Sequence, residues 1–261
     1  MKRTPITADL SQFPRELQPL LVGAPLFDSS CSPEARVYFV DRDGGYYLKT
    51  AQKGALAREA ALTDFYHKKG LAASVCEYLT LERDWLLTTR VAGEDLTHAQ
   101  YLAEPERLCD TLAQLLRTLH AQPVADCPFD HTAHYLDTVE RNFAAGCFDS
   151  SITPEGERPF ASAAEAIAAV RDAAPYFGRD TLLHGDYCLP NVMLDGWRFT
   201  GFIDLGNGGV GDRHVDLFWG AWTLCYNLGT DRYRARFFDA YGRDAVDPDM
   251  LRAVMAAECF G

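Results

Sequence analysis

The chain has 261 residues, 48% hydrophobic and 24% charged, with a formal net charge of −12 at pH 7. That length and apolar content give one large domain or two lobes with a real core, and exclude disordered and fibrous classes. The acidic balance argues against nucleic acid or an anionic membrane as a partner and suits a cationic small molecule, although acidity also serves solubility alone.

In chain order, the residue pattern predicts strands over 36–40 (RVYFV) and 46–50 (YYLKT), joined by the glycine-containing turn DRDGG. A helix follows over 55–70 (ALAREAALTDFYHKKG), rich in helix formers and stopped by Gly70. Two more strand-like runs cover 75–81 and 85–91. From about residue 105 the period becomes helical, with Leu108, Leu112, Leu115, Leu116 and Leu119 on one stripe. Residues 144–160 read as a loop or insertion, and Ser162 with Glu165 forms a capping box for the next helix. Strands return over 181–204, with Asp195 and Gly196 turning a hairpin, and a last helix covers 249–258. This pattern is α+β: a small antiparallel-β lobe carrying one helix, residues 1–91, then a larger mainly helical lobe, residues 92–261.

No apolar run nears the roughly 18 residues of a membrane-spanning helix. The start, MKRTPITADLSQF, lacks the apolar core of an export signal. Eight cysteines stand singly with no C-x-x-C pair, as expected of reduced thiols in a cytoplasmic protein.

The chemistry concentrates in HGDYCLPN, residues 184–191. Asp186 follows an apolar strand, in a loop where a carboxylate can orient a hydroxyl. Asn191 and Asp204 carry the hard oxygens that Mg²⁺ takes, and the short hairpin between them brings both toward one end of a sheet. Those are the parts that phosphoryl transfer needs, since positioning and charge neutralisation supply most of its acceleration. A cation for nucleotide phosphates is Lys49, at the end of a strand whose Leu48 points to the other face, with Glu59 in the following helix to hold it. Each residue alone has a plainer reading: a solvated lysine, an exposed helix pair, a turn-forming aspartate.

The ordered set resembles the protein-kinase-like fold, and within it the 3′-type aminoglycoside phosphotransferases. The resemblance is carried by SPEARVYFV and YYLK within 32–49, LAQLLRTLHAQPVADCPF (112–129), HGDYCLPNVM (184–193) and GFIDLGNGGVGDRHVDL (201–217). It spans nearly the whole chain and is most specific over 184–217. It implies that Asp186 is the catalytic carboxylate, that Asn191 and Asp204 bind Mg²⁺, and that Lys49, steadied by Glu59, holds the α- and β-phosphates of ATP (or GTP). Ser32 would lie in the flap over the phosphates, while the Thr89 carbonyl and Val91 amide meet the adenine edge. His184 would buttress the catalytic loop, and Asp216 would anchor it through backbone amides. The implied acceptor is a cationic aminoglycoside antibiotic, phosphorylated to give resistance. Asp149, Glu157, Glu258 and the Gly261 carboxylate are the candidates for its acidic wall.

The acceptor region departs from the family pattern. Asn207 stands where an arginine is frequent, and the helix FWGAWTLCYNLG is largely apolar. Its Trp222 and Tyr226, four residues apart, either stack on a sugar ring or pack in the core. His131 and His134 form half of a metal-site pattern with no further ligand suitably spaced. Another sugar, amino alcohol or antibiotic therefore stays open as acceptor, as does a catalytically silent nucleotide-binding module.

Overall fold

The computed structural model describes residues 3–153 and 157–261. Its strands and helices, in chain order, are β1 Thr4–Ile6, α1 Gln18–Leu21, β2 Leu26–Asp28, β3 Arg36–Val40, β4 Tyr46–Gln52, α2 Ala57–Lys68, β5 Val75–Thr80, β6 Arg83–Thr89 and β7 Glu94–Asp95. Then come α3 Ala99–Leu102, α4 Pro105–His120, α5 His131–Ala144, α6 Ala163–Ala173, β8 Thr181–Leu183, β9 Val192–Asp195, β10 Arg198–Phe202, β11 Gly209–Gly211, α7 His214–Leu228, α8 Arg234–Tyr241 and α9 Pro248–Glu258. Two compact units result: residues Met1–Asp95 with Val192–Gly206, and residues Leu96–Asn191 with Asn207–Gly261.

The first unit is built on a six-stranded antiparallel sheet in the order β1-β2-β3-β4-β6-β5. The β3–β4 turn runs through Asp43, Gly44 and Gly45, all at positive φ, as the predicted hairpin requires. Alternation along β4 sends Leu48 into a core with Phe13, Tyr38, Val40, Trp85 and Leu87, and leaves Lys49 on the other face. The short strands β1 and β2 carry too few residues for a period-2 signal, so no residue pattern marks them.

The hairpin β9–β10 groups with this first unit, although sequence division assigns it to the second lobe. Hydrogen bonding explains the grouping. Its strand β9 pairs with β7 through Glu94↔Leu194 and Asp95↔Met193. The Phe202 N–H donates to the Leu71 carbonyl, and the Thr200 hydroxyl to the Ala92 carbonyl. For the same reason the unit extends to Asp95 rather than stopping at residue 91.

In the second unit the core is mainly helical. Leu108, Leu112, Leu116 and Leu119 of α4 are fully buried, and Leu115 is half-buried at the edge of the stripe. Burying each fully contributes about 2 kcal/mol. Helix α7 is apolar almost all round and correspondingly deep, packing on α8 and α9. At Gly220 the α8 residue Phe237 lies where a Cβ would be, 2.6 Å from its ring, so only glycine allows this approach. Helix starts follow sequence signals: Asp130, Ser162 and Asp247 accept from the first-turn amides of α5, α6 and α9. The capping box at Ser162 is displaced by one residue, since Glu165 accepts from Ala161 N–H rather than from the cap residue's own. Within the loop predicted over 144–160, residues 150–152 form a 3₁₀ turn, and Pro154, Glu155 and Gly156 lie outside the described residues. No helix among the described residues is long and apolar enough to cross a membrane, and all eight cysteines are thiols.

Candidate active site

In the first unit, Lys49 Nζ lies 2.8 Å from Glu59 Oε2 and 2.9 Å from Asp204 Oδ1. The pairing predicted between the β4 lysine and the α2 glutamate is thus made. Burial alone would lower the Lys49 pKa, but the two carboxylates outweigh it, and the ammonium is held above its usual range. Burial, with the Asp204 charge adding to it, raises Glu59 despite the opposing pull of Lys49. Helix α2 also secures the segment after Asp204, since Arg58 Nε donates to the Gly206 carbonyl at 3.0 Å. Asp204 itself sits at φ 58°, a left-handed conformation that aspartate tolerates better than most residues, and its side chain is 55% exposed. One cation thus faces two carboxylates, and the exposed one keeps an oxygen toward solvent.

The loop after β8 belongs to the second unit. Its Gly185 has φ 82°, and a Cβ there would lie 2.0 Å from the Asn207 carbonyl oxygen, so no other residue fits. Buried Asp216, in the first turn of α7, accepts from the amides of His184 at 2.8 Å and Gly185 at 2.7 Å. A third donor, His120 Nε2, lies 3.1 Å from the same carboxylate, and Tyr241 Oη is 2.8 Å from its Nδ1. Burial would raise the Asp216 pKa, but hydrogen bonding and charge from His120 and His184 dominate and lower it. His184 Nδ1 accepts from the Asp186 N–H at 3.3 Å. The Asn191 amide closes the loop, donating to the Asp186 carbonyl at 3.0 Å and to Asp186 Oδ2 at 2.9 Å. The amide nitrogen of Asn191 is committed to Asp186, which leaves its Oδ1 as the acceptor end.

Asp186 lines a cavity of about 700 Å³ inside the second unit. Asp149, Glu258 and Gly261 also line it, as does Asn207. No lysine or arginine does among the described residues. Asp149 is exposed and accepts from Ser151 N–H, which holds its carboxyl below the usual range. Glu258 accepts from Tyr135 Oη at 2.7 Å and is also hydrogen-bonded by Trp219. Burial nevertheless pushes its carboxyl up to about 7, with Asp186 adding to the rise. Glu157 does not line this cavity; it pairs with Arg234 at 2.8 Å, which neutralises the carboxylate. Neither Tyr135 nor Trp219 carries a signal in the sequence: Tyr135 lies on a helix without a long apolar stripe, and Trp219 sits in an apolar run that reads as ordinary core. Trp222 and Tyr226 neither fill the core nor line the cavity: they stack on each other at 4.9 Å, with Tyr226 71% exposed. His131 and His134 both line the cavity, but no group of three metal-binding side chains forms among the described residues.

Ser32 is exposed in the loop between β2 and β3. The loop is fixed at its ends by Ser30 N–H to Asp28 and Val37 N–H to Ser30 Oγ. Thr89 ends β6 with its hydroxyl accepting from Ser74 N–H, and Val91 beyond it is buried against Gly201.

A model of the phosphotransferase enzyme family matches residues 32–254. A probable aminoglycoside 3′-phosphotransferase of Lactococcus lactis subsp. lactis is 48% identical, over 97% of each chain. An aminoglycoside 3′-phosphotransferase of Niallia circulans is 31% identical over 65% of this chain and 64% of its own. Among solved structures, an aminoglycoside-3′-phosphotransferase of type VIII superposes with a TM-score of 0.77 at 27% identity, covering 96% of both chains. A phosphotransferase from Streptomyces rimosus, solved with ADP and streptomycin, gives 0.71 at 24% identity over 86% of this chain and 90% of its own, a likeness of fold. The α+β, protein-kinase-like fold expected from the sequence is therefore the observed one.

Proposed function

This chain belongs to the phosphotransferase enzyme family, and we propose that it moves the γ-phosphate of ATP (or GTP) to a hydroxyl of an aminoglycoside, in the manner of the 3′ type, conferring resistance. The observation that carries the acceptor assignment is the cavity: Asp186 opens on a space that Asp149 and Glu258 also line, with no lysine or arginine among its described lining residues. A polyamine substrate is drawn to such a wall, and a neutral or anionic acceptor gains nothing from it.

In this reading Asp186 accepts or orients the proton of the attacking hydroxyl, with its carboxylate aimed by the Asn191 amide. Lys49 neutralises phosphate oxygens, held by Glu59 against loss of orientation. Mg²⁺, when bound, supplies further neutralisation of the triphosphate. Asn191 Oδ1 and the half-exposed Asp204 carboxylate are oxygen donors of the kind it takes. Ser32 serves the phosphate flap, and Thr89 and Val91 the base. Asp149, Glu258 and Gly261 are proposed for the acceptor side; Glu157, already paired with Arg234, is not retained there. The thiol cysteines are consistent with a cytoplasmic location.

A second acceptor class, another hydroxylated amine, draws support from Asn207 and Trp219 in the cavity wall. The test is nucleotide consumption across aminoglycosides and other hydroxylated amines, for the wild type and Asp186→Asn. Turnover that depends on an aminoglycoside and is lost in the variant is expected. If no acceptor lifts the wild type above the variant, the enzyme reading fails.

A further inference from the structure

Arg3 immediately precedes β1, the strand added at the β2 edge of the large sheet. Its guanidinium carbon lies 3.6 Å over the Phe39 ring and 5.8 Å from the Tyr47 ring centroid. Its Nη2 donates to Tyr47 Oη at 2.9 Å. Arg3 and Tyr47 line a cavity of about 160 Å³ together with Arg90, Val91, Glu94 and Met193, all within the first unit. In a chain of net charge −12, Arg3 forms no ion pair among the described residues. Its charge is spent on aromatic faces and on the cavity.

Strand alternation fixes what this cavity can serve. Tyr47 and Lys49 are two apart on β4, so both project from the same face, roughly 7 Å apart along the strand. A ligand whose phosphates meet Lys49 therefore extends toward Tyr47. The far wall, Val91, is a backbone with a donor and an acceptor to offer a flat ring, and Met193 supplies a polarisable thioether for such a ring to rest on. A planar guanidinium stacks on electron-rich rings and donates in a fixed fork, which an ammonium cannot do.

From this we infer that Arg3 is a nucleoside-binding residue. The purine enters between Tyr47 and Met193 with one edge at Val91, and the Arg3 guanidinium closes its open side, donating to the base or ribose and not to the phosphates. The inference rests on the kinase reading above, and it assigns the N-terminal segment a part in holding the nucleotide.

Calorimetric titration of the full chain with adenosine and with ADP separates the possibilities. Arg3→Met keeps an apolar stem over Phe39 and removes the charge, and it should weaken adenosine and ADP alike, by about tenfold. Arg3→Lys should recover only part of that loss, and the acceptor KM should not move in either variant. Lys49→Ala, as the contrast, should weaken ADP and spare adenosine. Unchanged adenosine affinity in Arg3→Met, or a loss confined to ADP, overturns the inference while leaving the kinase reading intact. If Arg3→Met does not fold, Arg3→Lys decides, because adenosine affinity equal to wild type also overturns it. A wild-type chain that binds neither ligand sinks both readings.

Discussion

In the proposed reading, two carboxylates in the second unit have separate tasks, Asp186 toward the attacking hydroxyl and Glu258 toward the acceptor's amines. Asp186 is aimed by one amide side chain, so Asp186→Asn keeps the shape and removes the proton acceptor. Steady-state kinetics should then show kcat reduced by about 10²–10⁴-fold with little change in KM. A comparable kcat in the variant would remove Asp186 from the catalytic role. Glu258 is pushed up to about 7 by burial. Below that value it is neutral and above it charged, so affinity for an ammonium-bearing acceptor should rise as pH increases through about 7. Glu258→Gln should flatten that part of the KM profile, measured with an acceptor whose amines stay protonated over the range. A profile unaltered by the substitution would take Glu258 out of the acceptor wall.

Helices and strands set these positions through packing that is partly legible in the sequence. The leucine stripe of α4 was readable because five residues repeat at helical spacing, and the structure buries four of them fully. Truncating one, Leu112→Ala, should cost about 2–5 kcal/mol in chemical denaturation. The close approach of α7 and α8 at Gly220 was not readable, since nothing local tells a glycine in a helix which ring will meet it. Gly220→Ala should cost about 1–3 kcal/mol by forcing Phe237 aside, and an unchanged midpoint would show that the two helices yield freely. The Lys49, Glu59 and Asp204 set was legible as an ordered pattern, and its first-unit geometry follows from strand alternation on β4 and the turn of α2. The acceptor wall was half legible. Glu258 and Asp149 stand out as carboxylates, but what separates them from Glu157 is a tertiary partner, Arg234, distant in sequence. Tyr135 and Trp219 become part of the site only because α5, α7 and α9 bring them to one carboxylate.

Across the whole molecule, two carboxyls, fully buried Asp216 and half-buried Glu258, place opposite slopes on stability against pH. Asp216 is held below its ordinary value, so its contribution is complete above about pH 4 and is lost as pH falls through the lowered value. Asp216→Asn leaves one of its donors without an acceptor, and should cost about 3–5 kcal/mol near neutrality and blunt the acid transition. Glu258 acts the other way. It keeps its proton in the folded chain up to about 7, whereas the unfolded carboxyl loses it near 4.5, so stability declines as pH rises between those values. Thermal melts across that window should show Glu258→Gln gaining on the wild type as pH rises.

The proposed reaction is phosphorylation of an aminoglycoside hydroxyl at the cavity lined by Asp186. Its most direct measurement is the phosphorus NMR spectrum and product mass after wild-type chain is incubated with ATP, Mg²⁺ and a 3′-hydroxylated aminoglycoside, beside the Asp186→Asn variant. A new phosphomonoester and a product heavier by one phosphoryl group are expected with the wild type, and at least about a hundredfold less of both with the variant in the same time. An unmodified aminoglycoside in both, or equal product from both, would contradict it.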